Sequence, residues 1–205
     1  MQITNLLPSS FGANCYIVSD AGHAAVIDPS VSVKGIVKYL EDNQLTLDYI
    51  ILTHGHFDHM LSLNGLKEQM KAPAYIHIDD EENLADGKKN AFALLFGQNR
   101  TFSPCEKTLQ GGDILPLGNA QLEIIHTPGH TKGGICIKAD DALFTGDTIF
   151  AESYGRCDLY GGDYATLRSS LKFLREYSIG KDITIYPGHG GSAKLTAALN
   201  TVEYL

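Results

Sequence analysis

The chain has 205 residues, 43% of them hydrophobic and 20% charged, and its formal net charge at pH 7 is −8. This length and composition are those of a globular protein, and we expect one domain over residues 1–205. The acidic balance, with no run of Lys or Arg, argues against nucleic acid or a membrane surface as a partner, and no stretch approaches the roughly 18 apolar residues that cross a bilayer.

The first half of the chain alternates short apolar runs with turn residues. The predicted elements are a β-meander from runs at 3–7, 15–18 and 24–27, a helix on Val33, Ile36, Val37 and Leu40, a strand at 48–53, a helix on Leu63, Leu66 and Met70, and a strand at 74–78. Residues 79–112 are mostly polar, with one apolar patch at 92–96. We interpret them as helical pieces that form a lid or insertion.

The second half repeats the strand pattern. The predicted elements are strands at 114–117, 121–126, 135–138 and 142–145, a helix at 164–177 with Asp163 as its N-cap, a strand at 183–186, and a final helix from about Ser192. Two groups of strands, each with helices outside, predict a four-layer αββα sandwich.

The strongest chemical signal is the run Thr-His-Gly-His-Phe-Asp-His at 53–59, which begins where the strand at 48–53 ends. Its three imidazoles and one carboxylate repel one another or solvate poorly unless a cation organises them. Imidazole and carboxylate suit zinc, and also iron or manganese. His130, Asp147 and His189 each follow a predicted strand downstream. A metal bound by the run needs further donors of this kind.

Four motifs occur in order within residues 53–189: THGHFDH, TPGHT, LFTGD and YPGH. Together they closely resemble the metallo-β-lactamase superfamily, in particular its glyoxalase II-like hydrolases. The resemblance implies two divalent metal ions, with zinc expected first and iron or manganese as alternatives. By the resemblance, His54, His56 and His130 hold the first ion, Asp58, His59 and His189 hold the second, and Asp147 bridges them.

Two metal ions about 3.5–4 Å apart can share a water molecule and make it hydroxide near neutral pH. That hydroxide would attack a carbonyl carbon, with Asp58 and Asp147 as the catalytic carboxylates. A thioester suits such a site because its thiolate, of pKa about 8.5, leaves without a general acid, and the sequence offers no separate acid. The resemblance therefore implies a hydrolase of small-molecule thioesters, with glutathione thioesters such as S-lactoylglutathione among the candidates.

The segment after Asp147 contains Gly-Arg-Cys-Asp-Leu at 155–159, which resembles a segment of short bacterial glyoxalase II-like proteins. By that resemblance Arg156 binds substrate, because glyoxalase II enzymes place a basic residue here against the glutathione carboxylate. A guanidinium binds carboxylates through two hydrogen bonds. The other interpretation is a salt bridge to Asp158 or Asp163 that orders the loop, and the sequence leaves both open.

A second function on the same scaffold is a persulfide dioxygenase that uses one iron at the positions of His56, His130 and Asp147. The complete set of seven donors favours hydrolysis. A β-lactamase is disfavoured by the absence of an export signal, and a nuclease by the acidic charge. A metal-binding protein without activity is disfavoured by the intact donor set.

Several other polar residues are assigned to structural roles. His77 and His126 lie on predicted strands and are expected to be packed or hydrogen-bonded, and His23 is expected to be exposed in a turn. Asp28 either supports the metal-binding loop from behind the ligands or serves as a turn or cap residue.

The compartment is predicted from the cysteines and the N-terminus. Cys15, Cys105, Cys136 and Cys157 show no C-x-x-C spacing and are expected to be free thiols in a reducing compartment. The N-terminal residues lack the pattern of a secretion signal. We therefore predict a cytoplasmic location, and we make no prediction of the oligomeric state.

Overall fold

The structure, a computed structural model, describes residues 1–7 and 12–202. The strands in these residues are β1 (Gln2–Leu6), β2 (Cys15–Asp20), β3 (His23–Ile27), β4 (Thr46–Ile51), β5 (Ala74–His77), β6 (Lys107–Leu109), β7 (Ile114–Leu117), β8 (Ala120–His126), β9 (Ile135–Ala139), β10 (Ala142–Gly146), β11 (Thr184–Pro187) and β12 (Ala193–Lys194). The helices are α1 (Val33–Asp42), α2 (Leu63–Met70), α3 (Phe92–Phe96), α4 (Tyr164–Tyr177) and α5 (Leu195–Thr201), with 3₁₀ turns at Phe57–His59 and Ile78–Asn83.

The strands form two six-stranded sheets. In the first sheet the strands follow chain order from β1 to β6, antiparallel up to β3 and parallel from there on. In the second sheet the order is reversed, from β12 to β7, and only β10 and β11 pair in parallel. The predicted meander corresponds to β1, β2 and β3 and is confirmed.

The alternation of side chains along the strands produces the layers. In β2, Tyr16 and Val18 pack between the two sheets, whereas Cys15 and Ile17 point to the other face of the first sheet. Side chains of α1 and α2 cover that outer face. The outer face of the second sheet packs against α4 and α5. The predicted four-layer αββα sandwich is confirmed.

The segment 79–112 contains the predicted helical pieces and one strand that was not predicted. Strand β6 extends the first sheet by pairing in parallel with β5. Of its three residues only Leu109 is buried, so the sequence carries too little apolar alternation to show a strand. Its backbone hydrogen bonds to β5 determine its conformation.

The C-terminal part departs from prediction in one place. The final helix begins at Leu195, not near Ser192, because Ala193 and Lys194 pair with Ile185 and Thr184 as strand β12. The predicted N-cap is confirmed, since Asp163 accepts a hydrogen bond from the Thr166 backbone N–H at 2.7 Å. Within residues 1–7 and 12–202, no helix has the length and apolar character needed to cross a membrane.

Candidate metal centre

The seven predicted metal-binding side chains lie together at one edge of the sandwich. The run 53–59 follows β4 in the first sheet, and the distal donors follow β8, β10 and β11 in the second sheet. The ends of strands from both sheets therefore supply the site, while the strands fix where each loop starts.

His54, His56 and His130 form the first group of donors. His56 Nδ1 lies 3.1 Å from His54 Nε2 and 2.9 Å from His130 Nε2. Donor atoms that share a tetrahedral zinc ion at about 2.0–2.1 Å are roughly 3.4 Å apart. The three nitrogens are therefore close to the spacing that a common ion requires.

Asp58, His59 and His189 form the second group. His189 Nε2 lies 3.2 Å from Asp58 Oδ2, and His59 Nε2 lies 3.8 Å from the same oxygen. The burial of these groups differs, because the side chain of His59 is 0% exposed and that of His189 is 42% exposed. This group is therefore open to solvent through His189.

Asp147 lies between the two groups. Its Oδ1 is 3.3 Å from His59 Nε2, and its Oδ2 is 3.5 Å from His130 Nε2 and 3.6 Å from His189 Nε2. Asp147 Oδ1 and His59 Nε2 are both buried without a hydrogen-bond partner among the described residues. Buried polar atoms rarely lack a partner, and an ion between these two atoms would supply one. The donor set therefore fits a pair of metal ions.

The charges of these groups also favour bound cations. Burial lowers the pKa of His54 well below its ordinary value, and burial together with His130 lowers that of His56 to about 3. Both imidazoles are therefore neutral, with a lone pair available. Burial raises the pKa of Asp147, but the neighbouring imidazoles, His59 first, lower it further, so the carboxylate is ionised. Burial also lowers the pKa of His59, and Asp28 and the other nearby carboxylates raise it well above the usual range. Asp28, Asp58 and Asp147 thus stabilise positive charge around His59.

Asp28 supports the donors from behind. Its carboxylate accepts hydrogen bonds from the Thr53 backbone N–H at 2.8 Å, the Thr53 hydroxyl at 2.7 Å and His59 Nδ1 at 2.8 Å. A bond of this kind fixes which ring nitrogen faces a metal. Asp28 therefore serves the first of its two predicted roles, which is to support the metal-binding loop. It also adopts a positive φ of 54°, a backbone conformation found in turns. His130 is oriented similarly, because its Nδ1 donates to the Arg156 carbonyl at 2.7 Å.

Asp80 is a supporting residue that the sequence analysis missed. Its carboxylate accepts hydrogen bonds from the Gly55 N–H at 2.8 Å and the Gly133 N–H at 2.7 Å. It thus connects the loop of His54 and His56 to the loop of His130. Burial raises its pKa. Nothing in the local sequence separates Asp80 from its acidic neighbours, since only the tertiary contacts show its role.

Two glycines allow close packing at the site. A Cβ on Gly188 would lie 2.4 Å from Asp147 Oδ1 and 2.6 Å from His59 Cε1. A Cβ on Gly55 would lie 2.6 Å from the Asn83 Cβ. The contact that requires a glycine at position 55 is therefore with Asn83.

Arg156 lies at the rim of the site and is paired. Its Nε and Nη2 donate to the two oxygens of Asp158 at 2.6 and 2.7 Å, while both side chains remain more than half exposed. Hydrogen bonding to Arg156 lowers the pKa of Asp158 to about 2. The salt bridge named as one of two interpretations is therefore present, and substrate binding by Arg156 stays a prediction.

A cavity of about 550 Å³ opens over the donors. Its described lining includes the donors His56, Asp58, His130, Asp147 and His189, and beside them Phe57, Ala91, Leu95, Phe96, Phe150, Gly155, Arg156 and Leu159. Among the lining residues that are described and are not donors, Arg156 is the only charged one.

The remaining histidines lie elsewhere, as expected. His77 and His126 stack with ring centroids 4.0 Å apart and an interplanar angle of 14°, and His126 Nε2 bonds to the Lys132 carbonyl at 2.9 Å. With Asp79 they form a further group of closely spaced donors. His23 is 48% exposed and pairs with Asp48. All four cysteines are free thiols.

The sequence is similar to those of two named hydrolases. The probable metallo-hydrolase YqgX of Bacillus subtilis is 32% identical over 87% of this chain and 85% of its own. Hydroxyacylglutathione hydrolase GloC of Haemophilus influenzae is 33% identical over 93% of this chain and 91% of its own.

Solved structures show the same fold. BLEG-1 B3 metallo-β-lactamase has a TM-score of 0.89 and 27% identity over 97% of both chains. TTHA1623 in a di-iron-bound form has a TM-score of 0.82 and 29% identity over 100% of both. ETHE1 from Myxococcus xanthus has a TM-score of 0.78 and 25% identity over 96% of this chain and 80% of its own. The model of the metallo-beta-lactamase superfamily matches residues 10–189. The chain therefore belongs to the metallo-β-lactamase superfamily.

Proposed function

We propose that the protein is a dinuclear metal-dependent hydrolase that cleaves thioesters such as S-lactoylglutathione. The observation that carries the proposal is the position of Asp147, whose two oxygens face His59 at 3.3 Å and His130 at 3.5 Å. One carboxylate thus adjoins both groups of imidazoles, which is the arrangement of a ligand shared by two ions.

In this proposal three imidazoles would hold the first ion, a carboxylate and two imidazoles would hold the second, and Asp147 would contribute to both. The first set is His54, His56 and His130, and the second is Asp58, His59 and His189. Zinc is expected because these donor types suit it, and the di-iron form of TTHA1623 makes iron the alternative. Such a pair, when bound, lowers the pKa of water and stabilises negative charge on an attacked carbonyl oxygen.

Asp58 is the carboxylate that we expect to orient the attacking water and accept its proton. Its side chain is 19% exposed and lines the cavity, so a substrate-side water can reach it. Burial raises its pKa, but His59 and the hydrogen bond to His189 lower it further, so the carboxylate is ionised. Asp147 keeps the donors together and supplies the second catalytic carboxylate.

The lining of the cavity supports a thioester as the scissile group. Apart from the proposed donors, the described lining residues are apolar side chains, Gly155 and Arg156, whose guanidinium is bound to Asp158. None of these is a ready proton donor for an amine leaving group. A thiolate leaves without a proton, because its pKa is about 8.5. The name of the Haemophilus influenzae relative, hydroxyacylglutathione hydrolase, supports glutathione as the thiol.

A second candidate is the oxygenase that uses one iron. His56, His130 and Asp147 form a set of two imidazoles and one carboxylate, with 2.9 Å between the two nitrogens and 3.5 Å from His130 to Asp147. Such a set with open positions is typical of mononuclear iron oxygenases. The second group of donors, which one iron would leave unused, favours the hydrolase.

Elemental analysis of the purified protein, combined with two assays, tests these candidates. If the protein is the hydrolase, we expect two metal ions per chain and release of free thiol from a panel of thioesters that includes S-lactoylglutathione. The oxygenase predicts one iron and oxygen uptake with glutathione persulfide. Metal-loaded protein that releases no thiol from any thioester would contradict the proposed function.

A further inference from the structure

One side of the cavity is an apolar wall, formed by Phe57, Leu95 and Phe96. Leu95 is 63% exposed and Phe96 is 46% exposed, although both are large hydrophobic side chains. Phe57 is buried and lies between two proposed metal ligands in the chain, His56 and Asp58. The wall therefore begins one residue from the donors and extends outward along α3.

The wall is held in place by contacts with the donor loop. The ring of Phe57 is nearly perpendicular to those of Phe92 and Phe96, at centroid distances of 5.3 and 5.7 Å. The Phe57 N–H also donates to the Asn90 carbonyl at 3.0 Å, next to the start of α3. These contacts couple the position of α3 to that of the donors, so the wall is a preformed part of the site.

The chemistry of the wall determines which half of a thioester can lie on it. Glutathione carries two carboxylates and an ammonium group, and placing such charges on an apolar surface costs their hydration. The one charged residue of the described lining outside the donor set, Arg156, is already bound to Asp158. The charged thiol half is therefore expected to point away from the wall and the acyl half to contact it.

We propose that the apolar wall binds an apolar substituent of the acyl group, so that thioesters with an aromatic or branched aliphatic acyl group are better substrates than S-lactoylglutathione. This inference rests on the proposed function and narrows its substrate class. S-mandeloylglutathione is the matched comparison, because it differs from S-lactoylglutathione only by a phenyl group in place of a methyl group. We expect kcat/KM to be about tenfold higher or more for the mandeloyl compound.

The chain provides a matched pair of variants. Leu95→Asn makes the wall polar, whereas Leu94→Asn changes a neighbour on the same helix that is equally exposed, at 66%, and is not among the described lining residues. Both sites are on the surface, so both variants should fold. We expect Leu95→Asn to lower the mandeloyl-to-lactoyl ratio of kcat/KM about threefold or more, and Leu94→Asn to leave it unchanged. An unchanged ratio in Leu95→Asn would overturn the inference.

A binding experiment separates this inference from the proposed function. S-benzylglutathione and S-methylglutathione are thioethers that cannot be hydrolysed and that carry an aromatic or a small group in the acyl position. Calorimetry with the metal-loaded protein should show tighter binding of the benzyl compound, weakened by Leu95→Asn only. Equal binding of the two thioethers, or no binding of either, contradicts the inference. Tighter binding of the benzyl compound without turnover of any thioester would support apolar binding by the wall and contradict the proposed hydrolase function.

Discussion

His59 Nδ1 and Asp28 Oδ2 lie 2.8 Å apart, and their side chains are 0% and 2% exposed. The bond directs the other ring nitrogen, Nε2, toward Asp58 and Asp147. Asp28 also receives two hydrogen bonds from Thr53, the residue before His54. One buried carboxylate therefore orients a donor of the second group and the start of the loop that carries the first.

Asp28→Asn should weaken metal binding. Asn tolerates the positive φ at this position. However, both Asp28 oxygens accept hydrogen bonds, and the NH₂ group that replaces one of them cannot accept any. Loss of a supporting hydrogen bond to a metal-binding histidine typically costs roughly 10–100-fold in affinity, and we expect that range for the more weakly bound ion in a zinc titration. Asp182→Ala, which changes an aspartate that is 85% exposed, is the control. Wild-type zinc affinity in Asp28→Asn would show that the bond is dispensable.

Asp147→Ala should abolish turnover and reduce the bound metal below two ions per chain, because it removes the donor that both groups share. Metal content by elemental analysis and thiol release from a thioester are the measurements. The matched control is Asp141→Ala, an exposed aspartate just before β10. If Asp147→Ala retained full turnover, Asp147 would not be the shared ligand.

Asp80→Ala should destabilise the fold as well as the site. It leaves the Gly55 and Gly133 N–H groups without their acceptor, and each unsatisfied buried group costs about 1–3 kcal/mol. We expect the free energy of unfolding in urea, measured on metal-free protein, to fall by about 2 kcal/mol or more. Asp79→Ala, at a neighbouring side chain that is 53% exposed, should have little effect. Equal stability of the two variants would argue against the role of Asp80.

Asp158→Ala should release the Arg156 guanidinium and lower KM for an anionic glutathione thioester. The stability should change little, since exposed ion pairs contribute about 0–1 kcal/mol. A neutral thioester of N-acetylcysteamine is the control substrate, and its KM should not change. Arg156→Ala should raise KM for the glutathione thioester alone. Equal effects on both substrates would assign Arg156 to ordering the loop.

Local sequence was sufficient for most of the fold, because alternation of apolar residues reports which side of a strand is buried. The strands β2 and β3 and the helix α4 with its Asp163 cap were predicted in this way. Strands β6 and β12 were not, since three and two residues respectively are too few to show a period. Their strand conformation comes from pairing with β5 and β11.

The sequence by itself predicted the donor set. Three imidazoles and one carboxylate within 53–59 favour a bound cation, and the resemblance carried by the four motifs implied the distal donors His130, Asp147 and His189. The tertiary structure alone decided what surrounds that set. Asp28 and Asp80 reach the donor loops from other parts of the chain, and α3 brings Leu95 to the cavity. These contacts depend on which distant segments meet in the folded chain. The residue types within one segment do not show which other segment it will contact.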